Sequence, residues 1–444
     1  MSRESTVPVA DAGERGRGAV SASPMPRPGQ RALFALLAGR TDAGLEQLSA
    51  EEWVALEQEA TRHSLRGLVY RRLADSPSAA VVPAELLARF RAMYVDTAGR
   101  NARALHETRR MAQALAGRGI EVILLKGIAL ARFTYDEPGL RNMADVDVMV
   151  RRDRLADAEA VYVANGYGPL PRPDIEEFCR RSNHLAKLVK PGMPVVEVHW
   201  GIERPTSPFA IDLDGLWARA ISRELDGVPV KALAPEDALL HLAVHLSYHH
   251  LFDRAALKGL VDVRELLAKE RAHFDWPAMV ARAGAWGVSG FVYTTLRLAE
   301  DLLEAGVPAS VLQALPRSTD DEQAVHIARR LILEPDEALP EAVRDLARTR
   351  SPGERWHSLV RHLFLSRAQM ARLYGFDERS VLVLAAYPWR LIELAGRGIA
   401  WLARALMRRE AGRSPIEREH DRQRLEAWSR ERSAGSTSAS ARHE

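Results

Sequence analysis

Leu124-Leu125-Lys126-Gly127 is followed, eighteen residues after its glycine, by Asp145-Val146-Asp147-Val148-Met149-Val150. The second segment alternates acid and valine at first, which marks a strand with one polar and one apolar face. Successive strand side chains point to opposite faces, so Asp145 and Asp147 project together while Val146 and Val148 fill the other side. Two carboxylates on one rigid ledge suit a divalent cation, an ion that bridges phosphate oxygens and neutralises the charge that develops in phosphoryl transfer. The glycine turn ahead of them opens a short helix over Gly127 to Phe133.

A third acid sharpens the pattern. Val195-Val196-Glu197-Val198-His199 sets Glu197 between valines in a second strand, Val195 to Trp200. An antiparallel partner is expected over His184 to Val189, with Lys190-Pro191-Gly192-Met193-Pro194 as the turn. Beside the first strand, Glu197 meets Asp145 and Asp147 and completes a three-acid cluster; the alternative is a solvent-facing residue paired with Lys or Arg. Asp153 is placed to cap a helix that stops near Asn165-Gly166.

Outside this unit the apolar spacing is helical. Ser49-Ala50-Glu51-Glu52 has the spacing of a capping box, and Leu33, Leu36, Leu37, Trp53, Leu56 and Phe90 repeat at helical intervals. The expected organisation is a disordered leader over 1–30, a helical region over 31–119, an α/β core over 120–211, a second helical region over 212–407, and a charged tail over 408–444 in which a frayed helix leads into disorder. The fold class is α+β: a small mixed β-sheet core flanked by N- and C-terminal helical regions.

Composition limits the chemistry. The 62 Lys and Arg against 59 acids leave a charge of +3, too small for a global field that gathers nucleic acid. Cys179 is the single cysteine, so no internal disulfide forms and a cytoplasmic setting is expected. Residues 1–30 lack the apolar run of a secretory signal, and Arg390, Glu393 and Arg397 interrupt the apolar segment Val381 to Trp389, so no transmembrane segment is expected. Trp389, Arg390, Arg397, Trp401, Arg404, Arg408 and Arg409 form a basic and aromatic stripe, for which packing on the protein is expected over membrane-surface contact. No Walker loop, dinucleotide-binding glycine motif or serine nucleophile elbow is present.

Leu124 to Leu130, Tyr135, Gly139-Leu140-Arg141, Asp145-Val146-Asp147 and Glu197-Val198-His199-Trp200 together resemble the uncharacterised nucleotidyltransferase family of the polymerase-beta superfamily. The resemblance covers about residues 31 to 405, with its specific motifs between 124 and 262. Lys126-Gly127-Ile128 stands where that superfamily usually has a doubled glycine or Gly-Ser. It implies a metal-dependent nucleotidyltransferase that moves a nucleoside monophosphate from an NTP, with ATP favoured, to a hydroxyl or amine of an unidentified acceptor, be it a small molecule, RNA or protein. Asp145, Asp147 and Glu197 map onto the catalytic acids that hold Mg2+ or Mn2+. Gly127 maps onto the phosphate-facing turn. Lys126 adds a point charge there unless it is merely a strand-end lysine exposed to water, and Arg141 a planar fork for the triphosphate.

His241, His245 and His249 recur at intervals of four on one helical face. Three roles are open to them: structural packing, lining of the substrate cleft by His245 and His249 together with His199, or zinc ligation with Asp253 or Asp262. The last would make the chain a zinc-dependent hydrolase, although His-Glu-x-x-His is missing. Ahead of that third reading, the alternative to the transferase is a catalytically silent module that keeps the fold to bind a nucleotide or a partner.

Overall fold

The computed structural model describes residues 26–334 apart from 172, 173, 254 and 255, and then 353, 356, 365–377, 379–407 and 415–440. Four helices come first: α1 (Pro28–Leu37), α2 (Ala50–Arg62), α3 (Arg66–Ala74) and the long α4 (Ala84–Ala116). The Ser49 capping box forms at the start of α2. The Glu52 amide donates to Ser49 Oγ at 3.3 Å, and the Ser49 amide donates to Glu52 Oε2 at 2.8 Å.

A seven-stranded mixed sheet follows. Its strands are β1 (Ile123–Leu124), β2 (Asp145–Met149), β3 (Gly168–Pro169), β4 (Leu188–Val189), β5 (Val195–His199), β6 (Ile221–Leu225) and β7 (Val228–Ala232), in the spatial order β3-β4-β5-β2-β1-β7-β6. Helices α5 (Lys126–Phe133), α6 (Leu155–Ala164), α7 (Ile175–Cys179) and α8 (Leu213–Arg219) connect them. β2 runs antiparallel to β1 and parallel to β5. The sheet divides two cores. Leu124, Val146, Val148, Val196 and Val198 pack with Met111 and Leu115 of α4 on one side. Ile123, Leu125 and Met149 join the helical body on the other.

Three expectations are corrected here. The α/β unit does not close at 211, because the hairpin β6–β7 at 221–232 completes the sheet through the parallel pairing of β7 with β1. The strand expected over His184 to Val189 is regular only at Leu188–Val189, with an isolated bridge from His184 to His199. Asp153 lies within a 3-10 turn, Arg152–Arg154, and Arg154 precedes α6. The helix does stop at Asn165-Gly166, where Gly166 takes a φ of +87°.

Beyond the sheet run α9 (Pro235–Val244), a π turn over His245–His249, α10 (Ala256–Glu270), α11 (Trp276–Ala285), α12 (Ser289–Leu303), α13 (Ala309–Ala314) and α14 (Thr319–Leu333). Later come α15 (Arg367–Tyr374), α16 (Leu382–Met407) and α17 (Pro415–Ser440). None of the described helices is long and apolar enough to cross a membrane. The leader residues 1–25 and the side chains of the stripe from Arg397 onward lie outside the described residues.

The charged tail does hold a helix, but over its described residues, 415–440, that helix is docked on α14 and not frayed. Leu425 and Trp428 are buried, each such burial contributing about 1.5–3 kcal/mol. The Trp428 indole donates to Asp321 Oδ1 at 2.8 Å. Arg330 Nε and Nη2 donate to the two oxygens of Asp421 at 3.0 and 2.8 Å, in a pair that is 5% exposed on both sides. A long run of charges is therefore a packed element, because its inward charges have partners on α14. Asp421→Ala is expected to cost about 3–5 kcal/mol by stranding the Arg330 guanidinium. Chemical denaturation reads that loss, and limited proteolysis should show cleavage within 415–440; unchanged stability would mean that the pair does not hold α17.

Candidate active site

The valines of β2 and β5 take the α4 side of the sheet, so the residues between them face the helical body. Parallel pairing sets Asp145 opposite Val195, Asp147 opposite Glu197 and Met149 opposite His199. Residues in register share a face. Asp147 and Glu197 therefore stand side by side, with Asp145 one step before them and His199 one step after. Among the described residues, the one group of three or more potential ligands with atoms within 4.8 Å of one another is Asp147, Glu197 and His199. Asp145 lies outside that group. It is nevertheless coupled to it: burial raises its pKa, and the charges of Asp147 and Glu197 raise it further.

Each of the two central acids already has basic partners. Asp147 Oδ1 accepts from His199 Nε2 at 2.8 Å and from Lys126 Nζ at 3.2 Å. Burial would raise the Asp147 pKa, but those two donors overcome it and hold the carboxyl well below its ordinary value. Glu197 Oε1 lies 2.7 Å from Lys187 Nζ, and its Oε2 lies 3.6 Å from His199 Nε2 and 4.0 Å from His184 Nε2. Burial opposes ionisation here too, and the Lys187 hydrogen bond and the charge of His184 turn the net shift downward.

The His199 tautomer follows from its neighbours. Asn183 Nδ2 donates to the Gly201 carbonyl at 2.9 Å and lies 3.3 Å from His199 Nδ1. The bond to a carbonyl fixes which end of the amide is nitrogen, so Nδ1 accepts and Nε2 carries the proton that points at Asp147. Burial lowers the His199 pKa despite the Asp147 bond, which keeps the ring neutral. His199 was expected to line the substrate cleft. It is instead 2% exposed and orients Asp147.

The turn ahead of α5 brings Lys126 over the acids. The Leu125 amide donates to the Asp147 carbonyl at 3.0 Å, and Lys126 begins the helix with a φ of +40°, an uncommon conformation for a side chain of this size. A Cβ on Gly127 would meet Arg141 Nη1 at 2.9 Å, so the glycine makes room for that guanidinium. The triphosphate fork expected of Arg141 is not what it presents. Its Nε and Nη2 donate to Asp262 at 2.8 Å each, and Tyr135 donates to the same carboxylate at 2.8 Å. This buried knot ties the segment between α5 and β2 to α10.

Of the three roles open to the histidine helix, zinc ligation is not supported. His241, His245 and His249 have ring centroids 6.3 and 5.9 Å apart in sequence order, and they make no ligand group. The π turn also changes their spacing. His249 Nε2 lies 2.9 and 3.0 Å from the oxygens of Glu203, while Asp253 pairs with Arg422 at 3.0 Å and Asp262 with Arg141. Burial lowers the pKa of His241 and of His245, and the Lys126 charge adds to it in both.

Lys187, Asn183 and Glu203 were not singled out from the sequence. Lys187 sits in the segment expected to pair with β5, where alternation alone would have placed it near Glu197. Asn183 and Glu203 carry no comparable signal, because their partners come from tertiary contact. Lys258 lies on α10, where burial and the Arg141 charge lower its pKa while Asp262 and Asp145 pull the other way.

A family model described as uncharacterised nucleotidyltransferase matches residues 49–304, more than half of the chain. An antigenic nucleotidyltransferase-like protein from Paracoccidioides brasiliensis is 18% identical over 49% of this chain and 95% of its own, with a TM-score of 0.32. The antibiotic-resistance factor ANT(2'')-Ia is 12% identical over 40% of this chain and 94% of its own, with a TM-score of 0.26. No curated protein matches.

The buried imidazole offers a direct check. In protein labelled with 15N-histidine, His199 is expected at pH 7 as the neutral ring protonated on Nε2, its signals assigned by their loss in His199→Gln. A ring protonated on Nδ1 would contradict the Asn183–His199–Asp147 chain.

Proposed function

The chain belongs to the uncharacterised nucleotidyltransferase family, and from that membership we propose that it moves a nucleoside monophosphate from a nucleoside triphosphate, ATP by preference, to a hydroxyl or amine acceptor, releasing pyrophosphate. The observation that carries this reading is the pairing of Asp147 with Glu197 across β2 and β5, with Asp145 on the same face. It supports reading the site as a polymerase-beta-type centre, as the sequence resemblance implies. The donor set suits hard cations: oxygen ligands dominate it, and the mutual repulsion that raises Asp145 is what a dication relieves. Mg2+ or Mn2+ held by Asp145, Asp147 and Glu197 would supply charge neutralisation at the phosphates and at the attacking oxygen.

The chain's own residues prepare that centre. His199 aims Asp147 and keeps it ionised. Lys126 and Lys187 act as internal counterions for the two acids until substrate arrives, after which their ammonium groups are free to face phosphate oxygens. Lys258, at the Asn142 carbonyl, adds a further positive charge near Asp145. Glu197, ionised at neutral pH, serves to hold the acceptor hydroxyl or take its proton. A cytoplasmic setting is consistent with the single buried thiol of Cys179. The lysine-neutralised acids also favour a second reading, a silent module that binds nucleotide through the same fold without transfer.

Incubation with each labelled NTP, Mg2+ and cell extract is expected to label an acceptor, and ATP binding without any labelled product would favour the silent module. Asp145→Asn combined with Asp147→Asn should abolish labelling while the circular dichroism spectrum is kept; full transfer by that double variant would remove the proposal. Lys126→Ala should tighten Mn2+ binding about tenfold, about 1.4 kcal/mol, by removing a competing cation. Titration without nucleotide measures this. Weaker binding in that variant would show that the lysine supports the acid pair instead of neutralising it.

A further inference from the structure

α15 and α16 form a hairpin with a small core of its own. Met370, Ala371, Val383 and Ala386 are buried together, with Leu365, Tyr374 and Tyr387 packed against them, in a cluster separate from the two cores that the sheet divides. The Tyr387 hydroxyl donates to the Leu365 carbonyl at 2.7 Å, and the Tyr374 hydroxyl donates to Glu393 at 2.8 Å. These contacts all fall on one side of α16.

The other side is apolar and faces outward. Val381, Leu384, Trp389 and Ile392 are 75%, 58%, 59% and 65% exposed, and Leu382 and Leu391 are exposed beside them. Val381, Leu384, Pro388 and Ile392 recur at intervals of three and four, so they form one line along the helix, and no charged residue stands in that line. Leu373 and Phe376, where the hairpin turns, are exposed as well. An amphipathic helix ordinarily gives such a face to the core, and α16 turns it away. Trp389, expected to pack on the protein, belongs to this outward surface. Large apolar side chains gathered in this way mark a surface that another body covers.

Charge says what that body is. Residues 365–407 contain six arginines against three acids, Asp377, Glu378 and Glu393, so this one hairpin has an excess of +3, equal to that of the whole chain. From Leu394 to Met407 there is no acid at all, and the sequence continues as Arg408-Arg409. Positions 390, 397 and 404, all arginine, are seven residues apart, about two helical turns, and so fall along one strip of α16 away from the apolar line. A helix with an apolar line, a tryptophan beside it and a strip of arginines suits the plane of a membrane interface, where the apolar residues enter the acyl boundary and guanidinium groups meet headgroup phosphates. A second copy of the chain would cover the apolar face and leave the arginine excess unused. An acidic lipid surface answers both features.

We propose that the α15–α16 hairpin docks the protein on a membrane surface rich in acidic phospholipids, with α16 lying in the interface plane. The helix does not cross, since none of the described helices is long and apolar enough to span.

The test is flotation of the full chain with vesicles of phosphatidylcholine alone and of an equal mixture of phosphatidylcholine and phosphatidylglycerol. The protein should float with the acidic vesicles, stay behind with the neutral ones, and be released from the acidic ones by salt. Leu384→Ser combined with Ile392→Ser changes two exposed side chains and leaves the hairpin's core intact; it should weaken binding about tenfold. Arg397→Gln combined with Arg404→Gln should also weaken binding to the acidic vesicles about tenfold. Circular dichroism should be unchanged in both variants. No flotation with the acidic vesicles, equal binding to both vesicle types, or binding indifferent to both variants would overturn the proposal. A dimer by light scattering that the first variant splits, in protein that binds neither vesicle, would overturn it in favour of a second copy.

Discussion

The parallel register between β2 and β5 is the constraint on which the rest depends. It forces the carboxylates of Asp147 and Glu197 onto one face at adjacent positions, with Asp145 next in line. Like charges so placed and partly withdrawn from water are unstable without compensation. The surrounding structure supplies it: Lys126 from the turn before α5, Lys187 from the segment before β4, and a neutral imidazole from the end of β5 itself. A slip of one residue would exchange acids for valines and bury charge in the α4 core, so the hydrophobic side of the sheet sets the geometry of its polar side.

A second layer of ion pairs fixes this face against the helical body. Arg141, Tyr135 and Asp262 form a buried knot in which Arg141 Nε and Nη2 and the Tyr135 hydroxyl all donate to one carboxylate, and Gly127 leaves the space for the guanidinium. Burying an arginine this way is costly unless it is paired in a fork with a carboxylate, and Asp262 supplies that fork. The turn that carries Lys126 is held at both sides by Asp147, whose carbonyl accepts from the Leu125 amide and whose carboxylate accepts from Lys126 Nζ, and there a non-glycine residue takes a positive φ at the start of α5.

The central strands were legible because of their period-two pattern: acid and valine alternate over 145–148, Val196 and Val198 flank Glu197, and those four valines have a core to fill. The positions of Asp145, Asp147 and Glu197 on one face follow from that alternation and from pairing. The edge hairpin was harder. Ser222, Arg223 and Glu224 are exposed, so β6 shows little apolar signal, although Asp226-Gly227 between the strands is a turn dipeptide and both residues take positive φ. α17 was hidden for a different reason. Its inward charges look like a solvated face until Arg330 and Asp321 of α14 are placed opposite them. Arg141 was misjudged because a fork suited to phosphate suits a carboxylate equally well, and only the fold brings Asp262 within reach.

The sheet is finished by residue 232, whereas α17 begins at 415. During synthesis the ledge of acids therefore has every strand it needs nearly two hundred residues before α17 leaves the ribosome. Lys126 and Lys187, already seated on Asp147 and Glu197, keep that early face from presenting bare carboxylates to whatever cations the surroundings hold.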